Sequence, residues 1–361
     1  LNNELLNSTY VGWMEQGPES NIVISSRVRL ARNLQNMPFP QRLDEKAGLD
    51  FLNIIKKTWQ ADSKSLLKDM DWLGFDKLSE LDRNILMEKH LVSPGHAQSN
   101  KSYNGLLVNQ DGLISIMINE EDHLRIQCLL PGLQIQECLH QANIIDDLLE
   151  EQLDIAFDEQ RGYMTSCPTN AGTGMRASVM LHLPAVAITG QLNQLVQHIN
   201  QLGMIVRGIY GEGSEATGNF FQLSNQITLG QMEQDIGSNL VAMTRQIVQQ
   251  EQILRDNLNR HMRIQIEDRV GRAYGVLTNA RMITSNEALA LLSDLRLGAD
   301  LGIIKEISLS VLNELMVAIR PAHLQKRAGN QMDPLGRDVN RAKVIKEILQ
   351  SGQNPVQTAD E

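Results

Sequence analysis

Gly105-Leu106-Leu107-Val108-Asn109-Gln110-Asp111-Gly112-Leu113-Ile114-Ser115-Ile116-Met117-Ile118 sets two short apolar runs on either side of Asn-Gln-Asp-Gly. Asp-Gly is a strong reversal signal, because glycine accepts the positive φ that a tight turn needs. The stretch therefore predicts a hairpin of strands over 105–108 and 113–118. Further strand-like runs lie at 124–129, 179–183 and 204–209, with amphipathic helical stretches between them, notably 135–157 and 191–202. Strands in this number with helices interspersed predict an α+β sheet domain rather than a bundle.

The rest of the chain bounds that reading. It has 361 residues, 33 Lys+Arg against 43 Asp+Glu and a formal net charge of −10, with 42% hydrophobic and 21% charged residues. This is the profile of a globular protein, and the length predicts two domains. The acidic balance argues against nucleic acid or an anionic membrane as a partner. No apolar run approaches the ~18 residues needed to span a bilayer, and no signal pattern opens the chain. Three cysteines without CxxC spacing fit neither a disulfide framework nor a zinc site, which predicts a reducing cytoplasm.

From Met232 onward the texture changes. Ile236, Leu240, Met243, Ile247, Leu254, Leu258, Met262 and Ile266 recur at three-, four- and seven-residue intervals and predict one long helix. Helical character continues over 286–297 and 307–319. The expected organisation is a lead-in at 1–20, a sheet domain at 21–254, an all-helical domain at 255–348 and a frayed tail at 349–361.

The common nucleotide signatures fail. No GxxxxGK[ST] occurs, and two relaxed GxGxxA matches at Gly172 and Gly211 lack the following helix that a dinucleotide fold requires. What remains is arginines inside apolar stretches. Arg27 and Arg29 stand two apart, as a strand would present them to one face. Arg125 closes Asn119-Glu120-Glu121-Asp122-His123-Leu124-Arg125. Arg176 follows the small-residue loop Cys167-Pro168-Thr169-Asn170-Ala171-Gly172-Thr173-Gly174, and Arg207 lies in Met204-Ile205-Val206-Arg207-Gly208. One such arginine usually means an internal ion pair, since an unpaired charge in an apolar run is costly. Five at separate strand ends point to convergence on a polyanion. A triphosphate undergoing phosphoryl transfer needs its oxygens neutralised, and guanidinium groups do this without losing their proton. Glu121 and Glu212, each beside one of these arginines, could face a cationic acceptor.

SSRVRLARN, NEEDHLR, CPTNAGTGMRASV, VRGIYGEGSEA and LSNQITLG together resemble the catalytic segments of the ATP:guanido phosphotransferase family. The resemblance runs from about residue 22 to 229. It implies a curved antiparallel sheet flanked by helices, glutamine-synthetase-like, with ATP and Mg²⁺ as cofactors. It implies that Arg27, Arg29, Arg125, Arg176 and Arg207 hold the ATP phosphates. Ser25, Ser26, Val28, His90, Ala177, Ser178, Val179, Met180, Gly208, Ile209, Tyr210 and Gly211 complete the implied nucleotide site. Glu121 and Glu212 would clamp the acceptor guanidinium, with Glu120 near the hydrated magnesium and Cys167 against the guanidinium's non-reacting side. Cys128 and Cys138 suit apolar faces and are expected in the core.

Departures from the family pattern suggest a branch. Kinases of free guanidino metabolites usually carry about a hundred residues of helical domain before the SSRVR segment (a property of the family resemblance), whereas here Arg27 comes almost at once. An open site would admit an arginine on a protein surface. Met180 replaces an adenine-side histidine, and Gly213 follows Glu212 where a bulkier residue is common. Arg337-Asp338-Val339-Asn340-Arg341-Ala342 sets two arginines one helical turn apart. It matches an RDxxRA pattern with which protein-arginine kinases bind phosphoarginine as an effector. The resemblance thus implies phosphorylation of arginine in proteins such as a stress-response repressor and misfolded chains. It also implies a small zinc-binding activator, a Clp protease downstream, and self-association. The alternatives are a kinase of a free guanidino metabolite and a non-catalytic phosphoarginine-binding adaptor.

Overall fold

The apolar runs become ten strands in a computed structural model that describes residues 4–61, 66–208 and 217–352. In chain order these are β1 (Val23–Arg32), β2 (Met70–Gly74), β3 (Gly105–Asn109), β4 (Ile114–Ile118), β5 (Leu124–Pro131), β6 (Phe157–Asp158), β7 (Gly162–Tyr163), β8 (Met175–His182), β9 (Met204–Gly208) and β10 (Phe220–Asn225). The hairpin β3–β4 forms as its turn chemistry predicts, with Gly112 at φ +66°. Eight strands make one antiparallel sheet in the order β2-β3-β4-β5-β1-β8-β10-β9, and β6 pairs with β7 separately.

One face of the large sheet is sealed by helices. Val28, Leu30, Ile126, Cys128, Ala177, Val179 and Leu223 pack there against Cys138, Leu139 and Ile145 of helix Ile135–Glu150. Ile236, Leu240, Met243 and Ile247 of helix Glu233–His261 extend the same core. Arg32 also turns to this side, where Nε and Nη2 donate to Asp146 at 3.0 and 2.5 Å and the guanidinium covers the Tyr163 ring. The opposite face is covered only in part, by helix Glu80–Glu88 and by residues of helices Leu309–Ala318 and Pro321–Ala328. Among the described residues its middle lies open, which is what creates a site.

Some elements differ from expectation. The helix expected over 135–157 stops at Glu150, because residues beyond it join the sheet domain's edge: Ala156 N donates to Asn33 O at 2.7 Å and Ile155 bridges Leu34. The long helix expected through Ile266 breaks at Met262 (φ −130°, ψ 25°) into Glu233–His261 and Arg263–Asn279. β2 and β10 carried no strand signal in the sequence. In β10, Phe220 and Phe221 are both buried but in cores on opposite faces, so the alternation that marks a half-exposed strand is erased.

The helical region is fastened to the sheet by buried charge. Arg255 donates to Glu251 (2.7 Å), Asp300 (2.7 Å), Asn21 O (3.2 Å) and His182 O (3.0 Å). Glu251 in turn accepts from Ala185 N and Val186 N at 3.1 and 2.9 Å, capping helix Pro184–Ile188. Among the described residues no helix is long and apolar enough to cross a membrane.

Several histidines sit in this dry framework. Burial lowers His96 to about 4, opposed by the Gly105 carbonyl, and lowers His123 to about 4. Burial also holds His182 well below the usual imidazole range, helped by Arg255 and Arg296. Above the ordinary value of 6.5 both the folded and unfolded chains carry neutral rings, so pH changes nothing there. Below it the unfolded chain takes up protons that the folded one refuses, and stability falls until about pH 4. Calorimetry between pH 7.5 and 4.5 should show the melting temperature dropping, with a slope of up to about 1.4 kcal/mol per pH unit for each such histidine. A flat profile down to pH 5 contradicts neutral burial.

Candidate active site

The register of the sheet collects the arginines. Arg27 lies opposite Ser178, Arg29 opposite both Arg176 and Gln127, Ala31 opposite Arg125, and Gln222 opposite both Met180 and Arg207. Side chains alternate along strands, so paired positions share one face. Arg27, Arg29, Arg125, Arg176 and Arg207 accordingly line one cleft of about 730 Å³, with Glu121, Cys167, His90 and Met180 in the same wall.

The cleft is electrostatically frustrated. Burial, then Arg176 and Arg125, lower Arg27 to about 10. Burial again comes first for Arg29, followed by Arg27, Arg125 and Arg176, and its pKa falls well below the ordinary value. Among the described residues Arg27 has only neutral hydrogen-bond partners, Ser178 Oγ at 3.4 Å and Gln222 Oε1 at 3.2 Å, and Arg29 Nε has none. Cations gathered in this way invite an anion, and planar guanidinium forks suit phosphate oxygens.

Carboxylates stand at one end. Arg125 Nη1 lies 2.9 Å from Glu120 and Nη2 lies 2.8 Å from Glu121. Glu120 also accepts from Ser93 Oγ at 2.6 Å; burial alone would raise its pKa, but Arg125 and Ser93 hold it below the usual carboxylate range. Glu121, 37% exposed, turns toward the cleft. Asp122, next in sequence and wholly buried, accepts from Asn33 Nδ2 and from Ser166 N, both at 2.7 Å. One short motif thus places Glu121 and anchors the loop that carries Cys167. That loop is fixed from below by Thr228 Oγ1, which donates to Thr169 O and Ala171 O at 3.0 and 2.7 Å. Its return onto β1 needs glycine: at Gly174 φ is +64° and a Cβ would stand 2.6 Å from Ala31 O. Cys167 Sγ lies 3.0 Å from Thr169 Oγ1.

The other end is apolar. Met180 lies opposite Ser25 while Arg125 lies opposite Ala31, so about 20 Å of β1 separates them at roughly 3.4 Å per residue. Around Met180 stand Trp13, Val92, Met316 and Val317, with His90 beside the Trp13 ring at 5.6 Å. His90 adopts φ +64° and its carbonyl accepts from Gln127 Nε2 at 2.8 Å. Burial, with Arg27 and Arg320 adding repulsion, lowers the imidazole to about 3, so it faces the cleft neutral.

Not every expected residue meets the cleft. Ser26, Val28, Ala177 and Val179 point to the helix-covered face, because they alternate with the arginines and Ser178 on β1 and β8. Ser26 Oγ there donates to Gly132 O at 2.7 Å, and Cys138 Sγ donates to Ser26 O at 3.3 Å. Cys128 and Cys138 are core residues. Gly208 ends β9, buried and opposite Phe221. Ile209, Tyr210, Gly211 and Glu212 lie outside the described residues. Arg337, Asp338 and Arg341, on helix Pro334–Gly352, do not line the cleft. Arg341 is buried, donating to Ile319 O at 3.0 Å and Ile283 O at 2.8 Å and pairing with Asp338, while half-buried Arg337 donates to Met332 O at 2.9 Å. Trp13, Gln127, Gln222, Met316, Val317 and Arg320 are cleft residues that no sequence signal marked.

Comparison with known proteins gives the family. The family model described as ATP:guanido phosphotransferase, C-terminal catalytic domain, matches residues 50–254, and that described as protein-arginine kinase McsB C-terminal domain matches 263–360. A protein-arginine kinase of Syntrophomonas wolfei is 59% identical over 352 residues, covering 97% of this chain and 98% of that one. One from a Geobacillus species is 48% identical over 359 residues, covering 99% of each. Among solved structures, the duplicated taurocyamine kinase of Schistosoma mansoni superposes with a TM-score of 0.59 at 25% identity, over 67% of this chain and 34% of that one. Sheet, arginine cleft and near-complete alignment converge, and the chain belongs to the ATP:guanido phosphotransferase family, in its protein-arginine kinase branch.

Proposed function

We propose that the protein transfers the γ-phosphoryl group of ATP to arginine side chains of proteins. The observation that carries this reading is the single cleft in which five strand-borne arginines meet Glu121 and Cys167. Arg27, Arg29, Arg125, Arg176 and Arg207 neutralise and align the triphosphate, on which Mg²⁺ arrives, with Glu120 acting through Arg125. The transition state is loose, so positioning and charge stabilisation do most of the work. Glu121, joined by Glu212, orients the acceptor guanidinium. As the P–O bond to ADP breaks and the P–N bond forms, the nitrogen's proton becomes acidic and passes to a carboxylate. A guanidinium with a pKa above ~12 gives up no proton before that point. Cys167 stabilises the cation from its far side.

The domain assignment belongs to the same proposal: residues 21–254 catalyse and residues 255–348 regulate and self-associate. So do the cytoplasmic setting, a zinc-binding activator and a role in stress-linked degradation through a Clp protease. The test is the acceptor. Incubation with ATP and either free arginine or an arginine-rich protein, followed by intact-mass measurement, is expected to add phosphate to the protein; transfer to free arginine alone would sink the reading.

Regulation by the product is the finer part. Phosphoarginine at the RDxxRA motif would meet Arg337 first, and Asp338 would exchange Arg341 for the ligand's guanidinium. Calorimetry with phosphoarginine on Arg337→Ala should lose this binding, and undiminished binding refutes the assignment.

A further inference from the structure

The helical region reaches into the cleft at one place. Arg320 is the extended residue (φ −76°, ψ 153°) between helices Leu309–Ala318 and Pro321–Ala328, and it lines the cleft together with Met316 and Val317. Its backbone is gripped on both sides. Ile319 O accepts from Arg341 Nε at 3.0 Å. Two residues further on, the buried carboxylate of Glu88 accepts from Ala322 N at 2.8 Å and His323 N at 3.0 Å and lies 2.8 Å from His323 Nδ1. Lys326 adds an ion pair to Asp82 at 2.9 Å.

The surroundings tell which part of a ligand Arg320 would meet. Glu121 and Cys167 mark the end where the phosphoryl group is transferred. The opposite end, about 20 Å away along β1, offers Met180, Trp13, Met316, Val317 and neutral His90. An apolar pocket suits the flat purine ring, and a guanidinium there can stack on the base or pair with the α-phosphate.

We propose that Arg320 is a nucleotide-contacting residue at the base-side end of the cleft, positioned by Arg341 on one side and Glu88 on the other. This rests on the ATP-dependent reading of the cleft, and it adds a nucleotide contact supplied by the helical region rather than by the sheet. It also gives Arg341 a positioning role: the bond that anchors helix Pro334–Gly352 to Ile319 is one residue from the cleft.

Titration calorimetry with Mg-ADP, together with the KM values for ATP and for an acceptor protein, tests this on the full chain. Arg320→Ala is expected to weaken ADP binding and raise the ATP KM about tenfold or more. The acceptor KM and the melting temperature should stay unchanged, and Arg320→Lys should recover part of the loss. Unaltered ADP affinity in Arg320→Ala overturns the contact. Arg341→Lys keeps the charge but removes the Nε donor to Ile319, and should raise the ATP KM in the same direction; an unchanged KM overturns the positioning. Arg27→Ala separates the two levels of inference. If it loses ADP while Arg320→Ala does not, only the present proposal falls. If Arg27→Ala binds ADP as well as the native chain does, the ATP reading of the cleft falls first.

Discussion

Arg29→Met is expected to lose about 10²–10³-fold in kcat/KM and at the same time to melt at a higher temperature. Arg29 stands in the centre of the cluster, with Arg176 and Gln127 as its cross-strand neighbours and a Nε that meets no acceptor among the described residues. Burial and the charges of Arg27, Arg125 and Arg176 all disfavour its cation. The native fold therefore carries a repulsion that Glu120 offsets only in part and that a bound anion would relieve further. Methionine keeps most of the volume and removes the charge. The side chain lines an open cleft, so solvent softens the effect, and the gain is put at roughly 1 kcal/mol, or a few degrees. Mg-ADP should raise the melting temperature of the native chain by mass action and that of Arg29→Met much less. Scanning calorimetry with and without nucleotide reads both effects. A lower melting temperature in the variant would show that the repulsion is not a cost, and retained turnover would remove Arg29 from phosphate binding.

Glu121→Gln is the second large effect, a loss of about 10²–10³-fold in kcat. Its geometry differs from that of its neighbour Glu120. Glu120 is enclosed by Arg125 and Ser93, whereas Glu121 shares Arg125 but stays partly exposed at the mouth. Glutamine preserves the shape and can still accept a hydrogen bond. It cannot balance a guanidinium cation or take its proton as phosphorus bonds to nitrogen. The rate of acid-labile phosphate incorporation into protein measures this, and turnover equal to the native chain's would take Glu121 out of the mechanism. Because Arg125 keeps its ion pair with Glu120 when Glu121 loses its charge, the ATP KM should move little compared with kcat.

The parts that could be read in the sequence are those whose physics is local. Asp111-Gly112 announces a reversal because only glycine sits easily at φ +66°, and the hairpin follows. Arg27 and Arg29 declare a shared face because strands alternate. Where a second layer intervenes, local signals fail. The pattern after Glu150 stays helix-like, yet the chain is drawn into an edge contact with Asn33 and Leu34. A one-residue break at Met262 leaves apolar intervals in phase and so leaves no trace in periodicity. β10 is hidden because both of its faces are buried. The site divides the same way. Arginines in apolar runs stand out as anomalies, whereas Met316 and Val317 are ordinary helical residues, and Arg320 an ordinary charge between two helices, until the fold carries them nearly 300 positions back to Trp13 and Arg27.

Helix Glu233–His261 has a consequence for how the molecule can be divided. At about 1.5 Å per residue its 29 residues form a continuous rod of roughly 43 Å. Its first half lies under the sheet, and its last turns hold Arg255 and Leu258 in the helical region. The catalytic family match ends at residue 254 and the next begins at 263. A fragment cut at 254 would strand Glu251 in the interior without its cation, at a cost of about 3–5 kcal/mol, and expose the apolar seam behind it. The segment in which one family match gives way to the other is, mechanically, a beam. The edge of the catalytic family match and the edge of the folded unit do not coincide here.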